Sequence, residues 1–307
     1  MASLFPEVTS SALSRNGDEE DWVRYTGAMA KQALIFLALA LPSLSFAAPA
    51  VKITPETPLQ GEPVMIEIAT PNPLAEATFD GEPLRTVPYD GGRRIFIGID
   101  LSKKPGNYSL RLVFPGGETV ERTITVIARE KIEAPLGIPE KLGGNTPASQ
   151  AALVATLAEE NALLSSIRTG ARAFWSKPFL LPLRAKIVIT DSYGYTRQTG
   201  AYSIAHKGTD LRAEEGTRVR AMNRGVVRLA RTFRNYGKTV VVDHGLGLQT
   251  FYMHLSRINV ATGELVVPGQ VLGLSGQTGY AESPHLHLTV RLNGTSIDPM
   301  KFLEFFK

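Results

Sequence analysis

The sequence predicts an all-β chain, mainly antiparallel, built as an N-terminal immunoglobulin-like β-sandwich, a short helical linker and a C-terminal antiparallel sheet. Three observations carry that expectation. Short runs of alternating apolar and polar residues recur through residues 50–128 and again from Phe174 onward, the period of strands with one buried face. Turn signals such as Asp80-Gly81, Asp90-Gly91-Gly92, Pro105-Gly106-Asn107 and Pro115-Gly116-Gly117 separate the N-terminal runs. No helical pattern of about 10–15 residues falls between the C-terminal runs, which disfavours crossover units and a parallel sheet.

Taken in order, residues 1–47 read as a leader, with a signal peptide over 29–47. After Met29, Lys31 gives a short positive region, Ala33 to Leu41 an apolar run, and Ser45-Phe46-Ala47 the small residues a signal peptidase reads. The apolar run is short for a membrane span and stops at Pro42. The expectation is an exported protein, periplasmic or otherwise in the cell envelope or outside it, with no stable membrane span after cleavage. The acidic run Asp18-Glu19-Glu20-Asp21 is foreign to a signal peptide, which makes Met29 a candidate start.

Residues 50–128 hold alternating runs at 63–68, 94–99, 108–113 and 123–127, the spacing of a small sandwich without a disulfide. This module has no histidine and no clustered carboxylates, so it reads as a spacer, a binding module or a lid. Residues 129–175 read as a linker. Its Pro/Gly-rich start gives way to a helix at Thr146, an N-cap residue followed by Pro147 at the first helical position. Residues 176–307 carry strand candidates at 185–189, 219–222, 226–230, 239–243, 249–253, 271–275 and 285–291.

Composition bounds the chemistry. At 43% hydrophobic and 20% charged residues the chain can bury cores and is not disordered overall. Cysteine is absent, so any metal must be held by histidine and carboxylate. Removing residues 1–47 takes away three of the 33 basic and five of the 29 acidic residues and leaves a net charge of +6. Ten Lys/Arg stand between Arg197 and Lys238 against Asp210, Glu214 and Glu215. A basic surface suits an anionic polymer; no nucleic-acid module is recognisable.

All five histidines, His206, His244, His254, His285 and His287, lie between residues 206 and 287. His206 and Asp210, four residues apart, can converge across a turn. His285 and His287 point to the same face of a strand, so one can bind a metal while the other faces what the metal activates. Two histidines, one aspartate and an open fourth position suit catalytic zinc, since structural zinc closes its shell with four protein ligands. No HExxH occurs, so no helix-borne glutamate base is available.

Over residues 183–301 the chain resembles the lysostaphin/LytM-type zinc metalloendopeptidases. The resemblance rests on ordered segments: 191–197 (DSYGYTR), 205–211 (AHKGTDL), 252–255 (YMHL), 267–270 (VPGQ), the glycines 273, 276 and 279, 283–287 (SPHLH) and Asp298-Pro299. It implies one Zn2+ bound by His206, Asp210 and His287, with His254 and His285 as the catalytic pair beside the metal's water. It further implies a peptidoglycan substrate, cut at peptide bonds of stem-peptide cross-links. The alternative is a non-catalytic LytM-type activator of cell-wall amidases, a role that goes with lost ligands; here every ligand position is filled. His244, before Gly245, matches a position without metal contact and reads as structural. Tyr195 and Tyr202 are secondary candidates to support an oxyanion, and Asn145 a candidate to fill zinc's open position. Three departures from the family pattern stand out: Tyr193 where Phe is usual, Glu282-Ser283 where Gly is common, and Leu288-Thr289 where Phe-Glu is frequent.

Overall fold

The computed structural model describes residues 49–307; the expected leader lies outside the described residues. The chain opens with β1 (Val51–Thr54), β2 (Pro63–Ile68), β3 (Glu76–Phe79), β4 (Glu82–Pro83), β5 (Val87–Tyr89), β6 (Gly92–Gly98), β7 (Gly106–Val113) and β8 (Thr119–Val126). They form two four-stranded sheets, ordered β1-β2-β6-β5 and β4-β3-β7-β8, with every pair antiparallel. Alternation decides which side chains go inside. In β7 Leu110 and Leu112 are fully buried while Arg111 and Val113 turn outward. Ile66 and Ile95 of the first sheet meet Leu110, Leu112 and Ile124 of the second in one shared core.

The linker contributes structure to both sides of it. Its strand β9 (Glu133–Pro135) is followed by helix α1 (Pro147–Ser165). Thr146 caps the helix, its hydroxyl accepting from Ser149 N at 3.2 Å. Leu164 packs with Phe233, Val241, Phe251 and Met253, so α1 lies on one face of the C-terminal sheet.

The C-terminal part comprises β10 (Ile189–Asp191), β11 (Thr196–Thr199), β12 (Tyr202–Ala205), β13 (Thr209–Arg212), β14 (Arg218–Arg220), β15 (Gly225–Thr232), β16 (Lys238–Gly245), β17 (Leu248–Leu255), β18 (Arg257–Ile258), β19 (Leu265–Val266), β20 (Val271–Leu274), β21 (His285–Leu292), β22 (Thr295–Ile297) and helix α2 (Pro299–Glu304), with β9-β11-β12 and β14-β20-β18 forming two small sheets of their own. The main sheet runs β10-β13-β21-β17-β16-β15-β19, with β22 paired to β21. Its pairings are antiparallel, as the sequence predicts. Two details differ. The linker strand β9 runs parallel to β11. The strand expected over 185–189 begins only at Ile189, because its partner β13 ends at Arg212, whose N–H donates to Val188 O, leaving nothing on that strand for residues 185–187 to pair with.

The sandwich and the C-terminal part share a core. Met65, Val87 and Phe96 are buried with Trp175, Phe179 and Phe302, and Phe96 stands 5.8 Å from Trp175 between ring centroids. Gly61, at φ +84°, lies against the Tyr193 ring, where a Cβ would run into the aromatic edge. Residues 49–307 accordingly form one compact unit. Among the described residues no helix is long and apolar enough to cross a membrane.

Candidate metal centre

Strand β21 supplies the row on which the site is built. Leu286, Leu288, Val290 and Leu292 enter the core, while His285, His287, Thr289 and Arg291 line a cavity of about 730 Å3 on the opposite face. Asp210 of β13 is paired directly with His287. The loop bearing His206 crosses over the His287 ring, and a Cβ at Gly208 would run into that ring and the Thr289 hydroxyl. Glycine is what lets the loop come this close.

His206 Nε2, Asp210 Oδ1 and His287 Nδ1 lie 2.8–3.2 Å from one another. The second nitrogen of each ring is already committed. His206 Nδ1 lies 3.0 Å from Ser192 O; a carbonyl only accepts, so Nδ1 carries the proton and Nε2 offers its lone pair. His287 Nε2 donates to Thr289 Oγ1 at 3.1 Å, and that hydroxyl donates onward to Lys207 O at 3.2 Å. His287 Nδ1 therefore offers a lone pair as well. Burial alone would raise the Asp210 pKa, but its contacts with His206 and His287 hold it well below the ordinary carboxylate range. Two ring nitrogens and one carboxylate oxygen converge here, and a metal cation can take the place of the protons they would otherwise share. Ligands about 2.0–2.2 Å from a tetrahedral Zn2+ are about 3.3–3.5 Å apart, close to the spacing here. The donor set fits zinc.

His254 reaches the same cavity by a backbone device. Simple alternation along β17 would send it toward the core with Tyr252. Instead His254 adopts φ +59° opposite an irregularity between Lys238 and Val240, and both Met253 and His254 line the cavity while Tyr252 and Leu255 stay in the core. A non-glycine residue held in the left-handed region marks a position where geometry matters. Its Nδ1 donates to Thr278 O at 2.9 Å, leaving the Nε2 lone pair free. Burial, then the neighbouring His285 and His287, push its pKa down to about 3. His254 and His285 ring centroids are 4.9 Å apart; His285 Nδ1 donates to Ser283 O at 2.8 Å, and its Nε2 is 3.7 Å from Asp210 Oδ1. The five residues singled out by sequence are thus brought together.

Other candidates are not. Tyr195 and Tyr202 do not line the cavity. Tyr280 does, and its buried hydroxyl has no partner among the described residues. Asn145 turns its Oδ1 to Ile138 N at 2.7 Å, closing a local linker turn. The three departures from the family pattern each have a structural reason. Tyr193 donates its hydroxyl to Ser296 O at 2.8 Å while its ring packs on Gly61 of the sandwich. Glu282 accepts from the linker at Gly137 N, 3.0 Å away. Thr289 takes the His287 proton. Replacing that hydroxyl, Thr289→Val, is expected to weaken metal binding about 10–100-fold, while Thr289→Ser retains it; competition against a chromophoric chelator reads the difference.

His244 stands apart, fully buried, with Nδ1 donating to Arg224 O at 2.8 Å and Nε2 facing Thr250 Oγ1 at 2.9 Å. Burial pushes its pKa down to about 4. Between pH of about 6.5 and 4 the unfolded chain therefore binds a proton that the folded chain refuses. Stability should fall by about 3 kcal/mol as pH drops through that window and level off below it. Urea midpoints at pH 7 and 4.5 should converge in His244→Asn relative to wild type.

Comparison with known proteins gives the same reading of the C-terminal part. Residues 204–299 match the model described as Peptidase family M23. The DD-carboxypeptidase/endopeptidase Mpg of Neisseria meningitidis is 40% identical over 95 residues, covering 31% of this chain and 22% of that protein. The peptidoglycan DD-endopeptidase ShyA of Vibrio cholerae is 42% identical over 96 residues, again 31% of this chain and 22% of the relative. The chain thus spans about a fifth of the length of these curated relatives. A solved structure from Pseudomonas aeruginosa, assigned to peptidase M23, superposes with a TM-score of 0.58 at 27% identity, covering 80% of this chain and 95% of that one. The chain carries a peptidase family M23 domain over residues 204–299, with all five histidines inside it.

Proposed function

We propose that this protein is an exported zinc endopeptidase that hydrolyses peptide bonds in the stem-peptide cross-links of peptidoglycan. The observation that carries the reading is the convergence of His206 Nε2, Asp210 Oδ1 and His287 Nδ1 within 3.2 Å, with His254 and His285 on the same cavity. The names of the relatives supply the substrate class.

When bound, Zn2+ supplies Lewis acidity, polarising a carbonyl and bringing the pKa of water to about 7. The chain's own residues do the rest. Ser192 O and Thr289 Oγ1 keep the two ligand imidazoles in the tautomers that leave the right nitrogen free. His254, kept neutral by burial, accepts a proton at Nε2 from the attacking water and returns it to the leaving amine. His285 holds a second proton site across from it, nearer the rim.

Digestion of purified cross-linked peptidoglycan by the chain from Ala48 onward, with products read by mass, tests this. The expected result is loss of dimeric muropeptides and gain of monomers, abolished by chelation. Intact dimers, together with a wall amidase made more active by the same protein, would instead establish the activator. Export is tested separately: the N-terminal sequence of protein recovered outside the cytoplasm should begin near Ala48, and one containing Asp18 to Asp21 overturns the leader.

A further inference from the structure

The row of side chains on β21 does not end at the histidines. Arg291 continues it, four residues beyond His287, about 13 Å along the strand at about 3.3 Å per residue. It is 9% exposed, yet among the described residues no carboxylate lies within 4.0 Å of it. Its partners are neutral: Nε donates to Ser296 Oγ at 3.3 Å and Nη1 to Leu164 O at 3.2 Å, and the guanidinium stacks 4.6 Å from the Phe251 ring centroid. Those contacts use two of the five N–H donors of a guanidinium. They fix the plane of the group and leave its remaining donors without a protein acceptor. Arg291 lines the same cavity as the histidines, and at neighbouring Gly294 an added Cβ would meet nothing within 4 Å, so this end has room.

A buried cation without a counter-ion is costly unless something supplies the charge. We infer that Arg291 seats a carboxylate of the peptide substrate, making the groove selective for acidic peptides. This rests on the reading of the site as a peptidoglycan peptidase. An extended peptide advances about 3.3–3.6 Å per residue, so the bound carboxylate belongs about four residues from the bond held at His287. The fork of a guanidinium suits a carboxylate, which it can grip through two parallel hydrogen bonds.

The test separates this inference from catalysis by measuring binding. A synthetic cross-linked pair of stem peptides with free carboxylates, and the same compound with every carboxylate amidated, are titrated into the metal-free chain by calorimetry. Wild type should prefer the acidic form by about tenfold or more. Arg291→Gln should remove that preference. Because Arg291 also holds the end of helix α1, a second variant leaves it in place: Ser296→Asp puts a carboxylate beside the guanidinium and should remove the preference by occupying it. Equal affinity of wild type for both peptides overturns the inference. So does a preference that survives in either folded variant, which would assign it to Lys207 or Arg197 nearer the metal centre. A protein that binds acidic peptide selectively but leaves peptidoglycan uncut would keep this site and refute the hydrolase.

Discussion

Asp210→Ala is expected to empty the metal centre. Dialysed wild type should hold close to one zinc per chain, and the variant close to none. A four-coordinate protein zinc site is worth about 10–16 kcal/mol, so one ligand of four carries about 3 kcal/mol or more, at least about 100-fold in affinity. Asp210 counts for more than an average ligand because its carboxylate is the charge that both His206 and His287 face. Asp210→Asn, which keeps the volume and removes the charge, should fail in the same way. His206→Ala should also lose zinc. Full occupancy in both alanine variants would end the ligand assignment. The protein should stay folded without the ion, because the strands bearing the site are held by the core beneath them, where Leu211, Leu286 and Leu288 are fully buried.

His254→Ala is expected to do the opposite, keeping one zinc per chain while turnover falls by about 100- to 10,000-fold, the range for loss of a general acid–base group. The backbone makes the control specific. His254 sits at φ +59°, which alanine tolerates poorly and asparagine well. A loss of turnover equal in His254→Ala and His254→Asn assigns the effect to the missing imidazole. Recovery in the asparagine variant would assign it to the strained turn instead. A drop in zinc content in either would move His254 into the ligand set.

Much of this site could be read from the sequence because its residues follow local spacing. His285 and His287 share a face by strand alternation alone, and His206 and Asp210 are separated by one tight turn around Gly208. The same alternation extended two and four residues further would have reached Thr289 and Arg291; the signal was present, but neither residue type announces chemistry without its neighbours. Nothing in the sequence distinguishes Tyr280 from Tyr195 and Tyr202, because a phenol carries no sequence mark of which way it turns. The carbonyls that set the imidazole tautomers, Ser192 O and Thr278 O, are backbone groups and have no signature at all.

The strand-and-turn architecture, the helix starting behind Thr146, and the pairs His206/Asp210 and His285/His287 can be read from the sequence alone, since these rest on periodicity, capping and short spacings. Tertiary structure decided the rest. The bulge at β16–β17 swings His254 out of the core; the pairing of β9 with β11 ties the linker beside the site; and the sandwich places Gly61 on Tyr193 and Phe96 in the C-terminal core. Each depends on contacts between segments far apart in the chain, where close packing rather than local preference fixes the outcome.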